Sequence, residues 1–113
     1  MPTIDRVSYG EIVVDGKTYY SDLVVWWDGK KSLLPKTHLI SPPLIEMLLK
    51  KNPDSLVVGT GIEGTVKLLL KVRQTLKKKK VSLFVDQSEN AAEIFNGLIS
   101  RGKKPVAVIH VTL

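Results

Sequence analysis

The fold class is indicated most clearly by residues 81–113, VSLFVDQSENAAEIFNGLISRGKKPVAVIHVTL. The two apolar runs of this stretch, residues 81–85 and 105–113, have the composition of β-strands, and residues 89–100 between them repeat apolar side chains at helical spacing. A strand, a helix and a second strand joined in this way form a right-handed crossover between parallel strands. The stretch therefore predicts an α/β fold.

A second crossover precedes the first. Residues 56–58 form a short apolar strand, and a helix is expected between residues 65 and 79, although residues 65–67 could instead form a short strand. The last strand is apolar on both faces, with Val106 and Val108 on one and Ala107, Ile109 and Val111 on the other. We therefore expect three parallel strands covered on both sides by other layers.

The first third of the chain predicts antiparallel strands. Asp15 and Gly16 stand between two strand-like runs, as in a type I′ hairpin, and residues 23–27 continue the same meander. A helix should begin at Ser41-Pro42, because serine is a good N-cap and proline suits the first helical position. The sequence thus predicts one domain, residues 1–113, with three layers, a mixed, largely parallel central sheet and an attached N-terminal antiparallel β meander.

Composition limits the functions that the chain can have. The 113 residues fit one domain and contain no cysteine, which excludes disulfides, thiolate nucleophiles and thiolate metal ligands. The start lacks the apolar core of a secretory signal, and no apolar run is long enough to cross a bilayer. These features favour a cytoplasmic protein without a membrane partner. The net charge of +6 is compatible with an acidic partner or with a lysine-rich, well-solvated surface.

A glycine motif, Gly59-Thr60-Gly61-Ile62-Glu63-Gly64, follows the strand at residues 56–58, and Asp86 lies at the end of the next strand. The spacing matches a dinucleotide-binding turn, in which backbone N–H groups approach a pyrophosphate and an acid binds the ribose. About fifty residues remain after Gly64, which are too few for a second mononucleotide-binding half. We therefore expect no dinucleotide cofactor, and no other cofactor is predicted.

If a ligand site exists, it should lie where the three parallel strands end, since ligands of open α/β sheets bind outside the carboxyl ends of the strands. The candidate ligand-binding residues there are Gly59, Thr60, Gly61, Asp86, Ser88 and His110. Exposed N–H groups and a helix capped by Ser88 would suit a small anion. In the alternative interpretation, the glycines only turn the chain, Ser88 only caps a helix and His110 is a buried histidine.

Other constellations are weaker. The two histidines, His38 and His110, do not have metal-ligand spacing, and no catalytic motif predicts an enzymatic activity. A basic stripe is expected on the second helix, formed by Lys67, Lys71 and Lys78 with Gln74 beside them. Because no aromatic residue lies between Pro35 and Leu83, the stripe favours a solvated helix face over a nucleic-acid site.

The sequence resembles a small uncharacterised domain family that includes respiratory complex I assembly factor 3 and the adipogenesis-associated domain protein of animals. The resemblance lies in residues 56–61 with Gly64, residues 91–96, residues 110–112, residues 8–10 and residues 14–17. It implies a three-layer fold with a mixed sheet, a role in assembly or interaction, and no known cofactor. Two departures concern Leu113, where members often have cysteine, and residues 34–37, where members often have Trp-Arg before a histidine.

The leading hypothesis is therefore a non-catalytic interaction or assembly module with an unknown protein partner. The first alternative is a binder of, or an enzyme acting on, a small anionic ligand at Gly59-Thr60-Gly61. The second is weak, nonspecific nucleic-acid binding through the lysine-rich helix. Self-association into a homo-oligomer stays open.

Overall fold

The computed structural model describes residues 2–34, 39–40, 42–61, 67–68 and 70–112. The chain order of its elements is β1 (Ile4–Ser8), β2 (Glu11–Val14), β3 (Lys17–Tyr19), β4 (Asp22–Trp26), β5 (Lys31–Leu34), β6 (Leu39–Ile40), α1 (Pro42–Leu49), β7 (Ser55–Gly59), β8 (Lys67–Leu68), α2 (Leu70–Lys78), β9 (Ser82–Asp86), α3 (Ser88–Ser100) and β10 (Pro105–Ile109).

The central sheet has five strands in the order β5-β4-β10-β7-β9. Strand β10 is parallel to β7, with Ala107 opposite Val57, and β7 is parallel to β9, with Val57 opposite Phe84. The predicted set of three parallel strands is therefore confirmed. Strands β4 and β5 complete a mixed sheet through antiparallel pairing of β4 with β10 and of β5 with β4.

The meander is shorter than the sequence suggested. Strands β1, β2 and β3 form a separate antiparallel sheet, and the β2–β3 turn has φ of 50° at Asp15 and 80° at Gly16. Both positive values fit the predicted type I′ hairpin. The placement of residues 23–27 in this meander was wrong, because β4 instead lies inside the central sheet. All five residues of β4 are buried, and a central position covers both of its faces.

Two apolar cores lie on opposite faces of the central sheet. On one face, α1 and α2 pack on the sheet through Ile45, Leu48, Val72 and Leu76 against Val24, Leu56, Val58, Val106 and Val108. On the other face, α3 lies between the central sheet and the meander, and Phe95 is fully buried. The side chain of Asn96 joins α3 to the meander by accepting from the Ile4 N–H (2.9 Å) and donating to the Ile4 carbonyl (2.8 Å).

The helix boundaries confirm some predictions and correct others. Helix α1 begins at Pro42 as expected, whereas α2 begins only at Leu70, and Lys67 belongs to the short strand β8. The predicted basic stripe therefore loses its first lysine, because the chain is extended there. None of the helices in the described ranges is long and apolar enough to cross a membrane.

Candidate functional site

The carboxyl ends of the three parallel strands lie side by side, as predicted. Gly59 at the end of β7 is opposite Ile109 of β10 and Asp86 of β9. The His110 N–H donates to the Gly59 carbonyl (3.1 Å), and the Thr60 N–H donates to the Asp86 carbonyl (2.9 Å). We call Gly59, Thr60, Gly61, Asp86, Ser88 and His110, together with Asp22, the strand-end cluster.

Ser88 connects the members of this cluster. Its hydroxyl accepts a hydrogen bond from the Gly61 N–H (3.0 Å) and donates one to the His110 carbonyl. The Ser88 N–H in turn donates to the Gly61 carbonyl (3.2 Å), and the whole residue is buried. The prediction that Ser88 caps α3 was wrong: Gln87 is the N-cap residue, and Ser88 begins the helix. Its hydroxyl accepts from Gly61 and donates to His110, both distant in sequence, so the local pattern predicted the wrong bonding partners.

Gly59 is needed because α3 begins very close to β7. A Cβ atom at this position would lie 2.8 Å from Ser88 Oγ, 3.0 Å from Ser88 Cα and 3.1 Å from Ile109 Cδ1. Such distances are below van der Waals contact, so any side chain would push α3 away from the sheet. The first glycine of the motif therefore has a packing role that requires no ligand.

The N–H groups that a small anion would use are engaged within the protein. The Thr60 N–H donates to the Asp86 carbonyl, and the Gly61 N–H donates to the Ser88 hydroxyl. The Ser88 N–H donates to the Gly61 carbonyl. Binding an anion through them would break these bonds in a buried environment. A ligand role for the six predicted residues stays a prediction. The third glycine of the motif, Gly64, and the other histidine, His38, lie outside the described residues.

A buried acid–histidine pair lies at the edge of the cluster. His110 Nδ1 is 2.9 Å from Asp22 Oδ2, and the Val111 N–H donates to Asp22 Oδ1 (2.9 Å). His110 is 2% and Asp22 5% exposed. When the carboxylate is ionised, Nδ1–H is the donor of this bond, because a carboxylate only accepts hydrogen bonds. The pair fixes the imidazole and ties the start of β4 to the end of β10.

Asp22 was missed by the sequence analysis, which gave it no role. The usable signal was an acid directly before the wholly apolar run 23–26, where a buried carboxylate needs a partner. His110 Nε2 has no hydrogen-bond partner among the described residues. A cavity of about 180 Å³ beside the pair is lined by Asp22 but not by His110. The described residues include no group of three His, Cys, Asp or Glu side chains that could hold a metal ion.

A larger cavity lies on the other face of the sheet, between α1 and α2. Its volume is about 290 Å³, and its lining is Ile45, Glu46, Leu49, Lys50, Val72, Thr75 and Lys79, which we call the helix groove. The floor is apolar, and the polar ends of the lining come from one acid, two lysines and a threonine. The sequence pattern showed two amphipathic helices but gave no sign that they leave a groove between them.

The positive charge is concentrated on and around α2, which forms one wall of this groove. Residues 64–85 contain seven basic residues and no acid, whereas the remaining chain has ten basic and eleven acidic residues. The surplus of the whole protein is therefore carried by α2 and its ends. The basic side chains described there are all exposed: Lys71, Arg73, Lys77, Lys78, Lys79 and Lys80.

Comparison with known proteins gives a family and several similar structures. The model of a family described as a protein of unknown function (DUF498/DUF598) matches residues 4–110. The crystal structure of conserved hypothetical protein PH1505 from Pyrococcus horikoshii OT3 is 28% identical, with a TM-score of 0.86 over 98% of this chain and 99% of that chain.

Two more distant structures share the fold. An outer membrane protein from Bartonella henselae is 19% identical, with a TM-score of 0.82 over 97% of this chain and 94% of its own. A Bordetella pertussis protein described as a Mth938-like domain is 18% identical, with a TM-score of 0.69 over 96% of this chain and 85% of its own. These likenesses establish a Mth938-like α/β architecture.

Proposed function

The chain belongs to the DUF498/DUF598 family of proteins of unknown function, and we propose that it is a non-catalytic interaction module that binds another protein at the helix groove. One observation carries the proposal: the groove is an apolar cavity, and one of its walls is α2, the helix whose segment carries the surplus positive charge of the molecule. Apolar contact supplies affinity, and charge at the rim supplies orientation and partner choice.

The two helices that line the groove are fixed on the central sheet. The indole N–H of Trp26, in the central sheet, donates to the Leu48 carbonyl of α1 (3.5 Å). Ile45 and Leu48 of α1 and Val72 and Leu76 of α2 are anchored in the core below. A surface that is already ordered loses less conformational entropy when a partner binds. This supports the groove as a binding surface.

The alternatives have less support. A small anion at Gly59-Thr60-Gly61 would have to displace bonds to Asp86 and Ser88. Nucleic acid would find exposed lysines on α2, but α2 itself contains no aromatic side chain on which a base could stack. We expect any affinity for DNA or RNA to be weak and strongly salt-dependent. We also propose that residues 1–113 form a single domain and that the protein acts in the cytoplasm.

Photocrosslinking in living cells tests the proposal. A benzophenone amino acid placed at Thr75, in the helix groove, should give a discrete crosslinked protein. The same group at Glu93, an exposed residue of α3 on the opposite face, is the matched control. Adducts of equal pattern at both positions, or none at Thr75, would contradict the proposal. An adduct of twice the chain mass would identify the partner as a second copy.

A further inference from the structure

Resting on the proposed function, we infer that the helix groove binds an acidic amphipathic helix of a partner protein. The groove runs between two helices, and an amphipathic helix inserts apolar side chains into such a groove at i, i+3, i+4 and i+7 spacing. Ile45, Leu49 and Val72 supply the apolar floor for them.

The charge of the occupant follows from the rim. Lys50 and Lys79 line the groove, and the exposed Lys71 and Lys78 lie one helical turn from Thr75 on α2, in a segment without acids. A cationic occupant would be repelled there, whereas glutamate or aspartate side chains would pair with the lysines. Lysines at a helix C-terminus also offset the helix dipole, but α2 and its end carry more of them than that role needs.

Glu46 is the exception and gives the occupant a direction. It lines the groove four residues before Lys50, which directly follows α1, so the acidic side chains of the partner should lie toward the C-terminal ends of α1 and α2. A protein helix fits this arrangement better than nucleic acid, because the floor is apolar and α2 offers no stacking aromatic.

Fluorescence anisotropy with designed peptides tests the inference. The probe is a fluorescein-labelled helical peptide with leucines at i, i+3, i+4 and i+7 and glutamates elsewhere. One control has lysines in place of the glutamates, and another has serines in place of the leucines. The acidic amphipathic peptide should bind at least about tenfold more tightly than either control, because it alone matches both the charge and the apolar floor.

Paired variants locate the binding site. The double substitution Lys50→Glu and Lys79→Glu should weaken binding of the acidic peptide by about tenfold or more, since it reverses the charge at the rim of the groove. Lys103→Glu with Lys104→Glu makes the same change in net charge at exposed residues outside the groove, and should weaken binding by less than about threefold at physiological salt. Thr75→Trp should abolish binding by filling the groove, and unchanged thermal unfolding shows that each variant is folded.

The outcomes separate this inference from the proposed function. Equal binding of the lysine peptide or the leucine-free peptide overturns the inference, as does equal loss in the two double variants. Tighter binding of duplex DNA or phosphatidylserine vesicles, with loss in Lys50→Glu/Lys79→Glu, overturns it in favour of those partners. If the acidic peptide does not bind while the Thr75 crosslink is present, the partner chemistry is wrong and the interaction module stands. If both are absent, both proposals fail.

Discussion

The strand-end cluster and the helix groove use their polar groups differently. In the strand-end cluster, Gly61, Ser88 and His110 bond to one another, and Asp22 holds the imidazole from the side. In the helix groove, lysines line a cavity that no side chain of the described residues fills. The most motif-like residues of this sequence therefore bond to one another and stabilise the fold. The plain lysine-rich helix, which matches no motif, offers the open surface.

The largest effect on stability is expected at Asp22. Asp22→Ala removes the acceptor for the Val111 N–H and the partner of His110 Nδ1, both in a buried site. Because bonds to a buried carboxylate are strong, we expect a loss of about 3 kcal/mol or more in unfolding free energy. Asp22→Asn keeps one acceptor and should lose about half as much. Urea unfolding measures both, and a change below about 0.5 kcal/mol for Asp22→Ala would show that the pair stabilises nothing.

Two glycines provide the next test. Gly59→Ala places a methyl group against Ser88 and should destabilise the protein by about 1–3 kcal/mol through overpacking. In Gly97→Ala, within α3, the nearest atom is the end of the Arg101 side chain at 3.7 Å. Alanine is the better helix former, so this control should stabilise by about 0.5–1 kcal/mol. Equal effects in thermal unfolding would remove the argument that close packing selects Gly59.

Ser88→Ala tests the bonds within the strand-end cluster. The substitution leaves the Gly61 N–H and the His110 carbonyl without their buried partner, which should cost about 1–2 kcal/mol. The Gly61 amide should also exchange with solvent deuterium faster than in the wild type. Ser100→Ala is the control, because Ser100 bonds an exposed carbonyl of its own helix. Unchanged exchange at Gly61 would contradict the assigned bond.

A surface ion pair near the groove gives the smallest effect. The bond from Lys51 Nζ (2.5 Å), and next the one from the Lys30 N–H (3.0 Å), lower the pKa of Asp28. With the folded-state pKa below the unfolded one, the stabilisation is present at pH above the unfolded value and is lost as pH falls through the folded value. In Asp28→Asn, the unfolding free energy should therefore depend less on pH in the acidic range.

At neutral pH the same substitution should change stability by at most about 0.5 kcal/mol, because more than a third of the Asp28 side chain is exposed and the pair is screened by solvent. Urea unfolding at acidic and neutral pH measures both quantities. A loss as large as that of Asp22→Ala would remove the contrast between the surface pair and the buried one.

Local patterns predicted the parallel strands, the hairpin at Asp15-Gly16 and the start of α1, because periodicity and turn residues act over short distances. They misplaced β4, since its burial comes from pairing Val25 with Ala107, far away in sequence. They identified six of the seven members of the strand-end cluster, all but Asp22, but not the hydrogen bonds among them. The role of Ser88 depends on two distant backbone groups, and the helix groove depends on how α1 and α2 pack.

Amide chemical-shift mapping with the acidic amphipathic peptide tests the difference between the helix groove and the strand-end cluster most directly. The amides of α1 and α2 around Leu49, Lys50 and Thr75 should shift on titration. Those of Gly59, Gly61 and Ser88 should stay unchanged, because their bonds lie at the carboxyl ends of the strands and none of these residues lines the groove. Saturable shifts at Gly61 and Ser88 with none in α1 or α2 would contradict the account and make the strand ends the binding site.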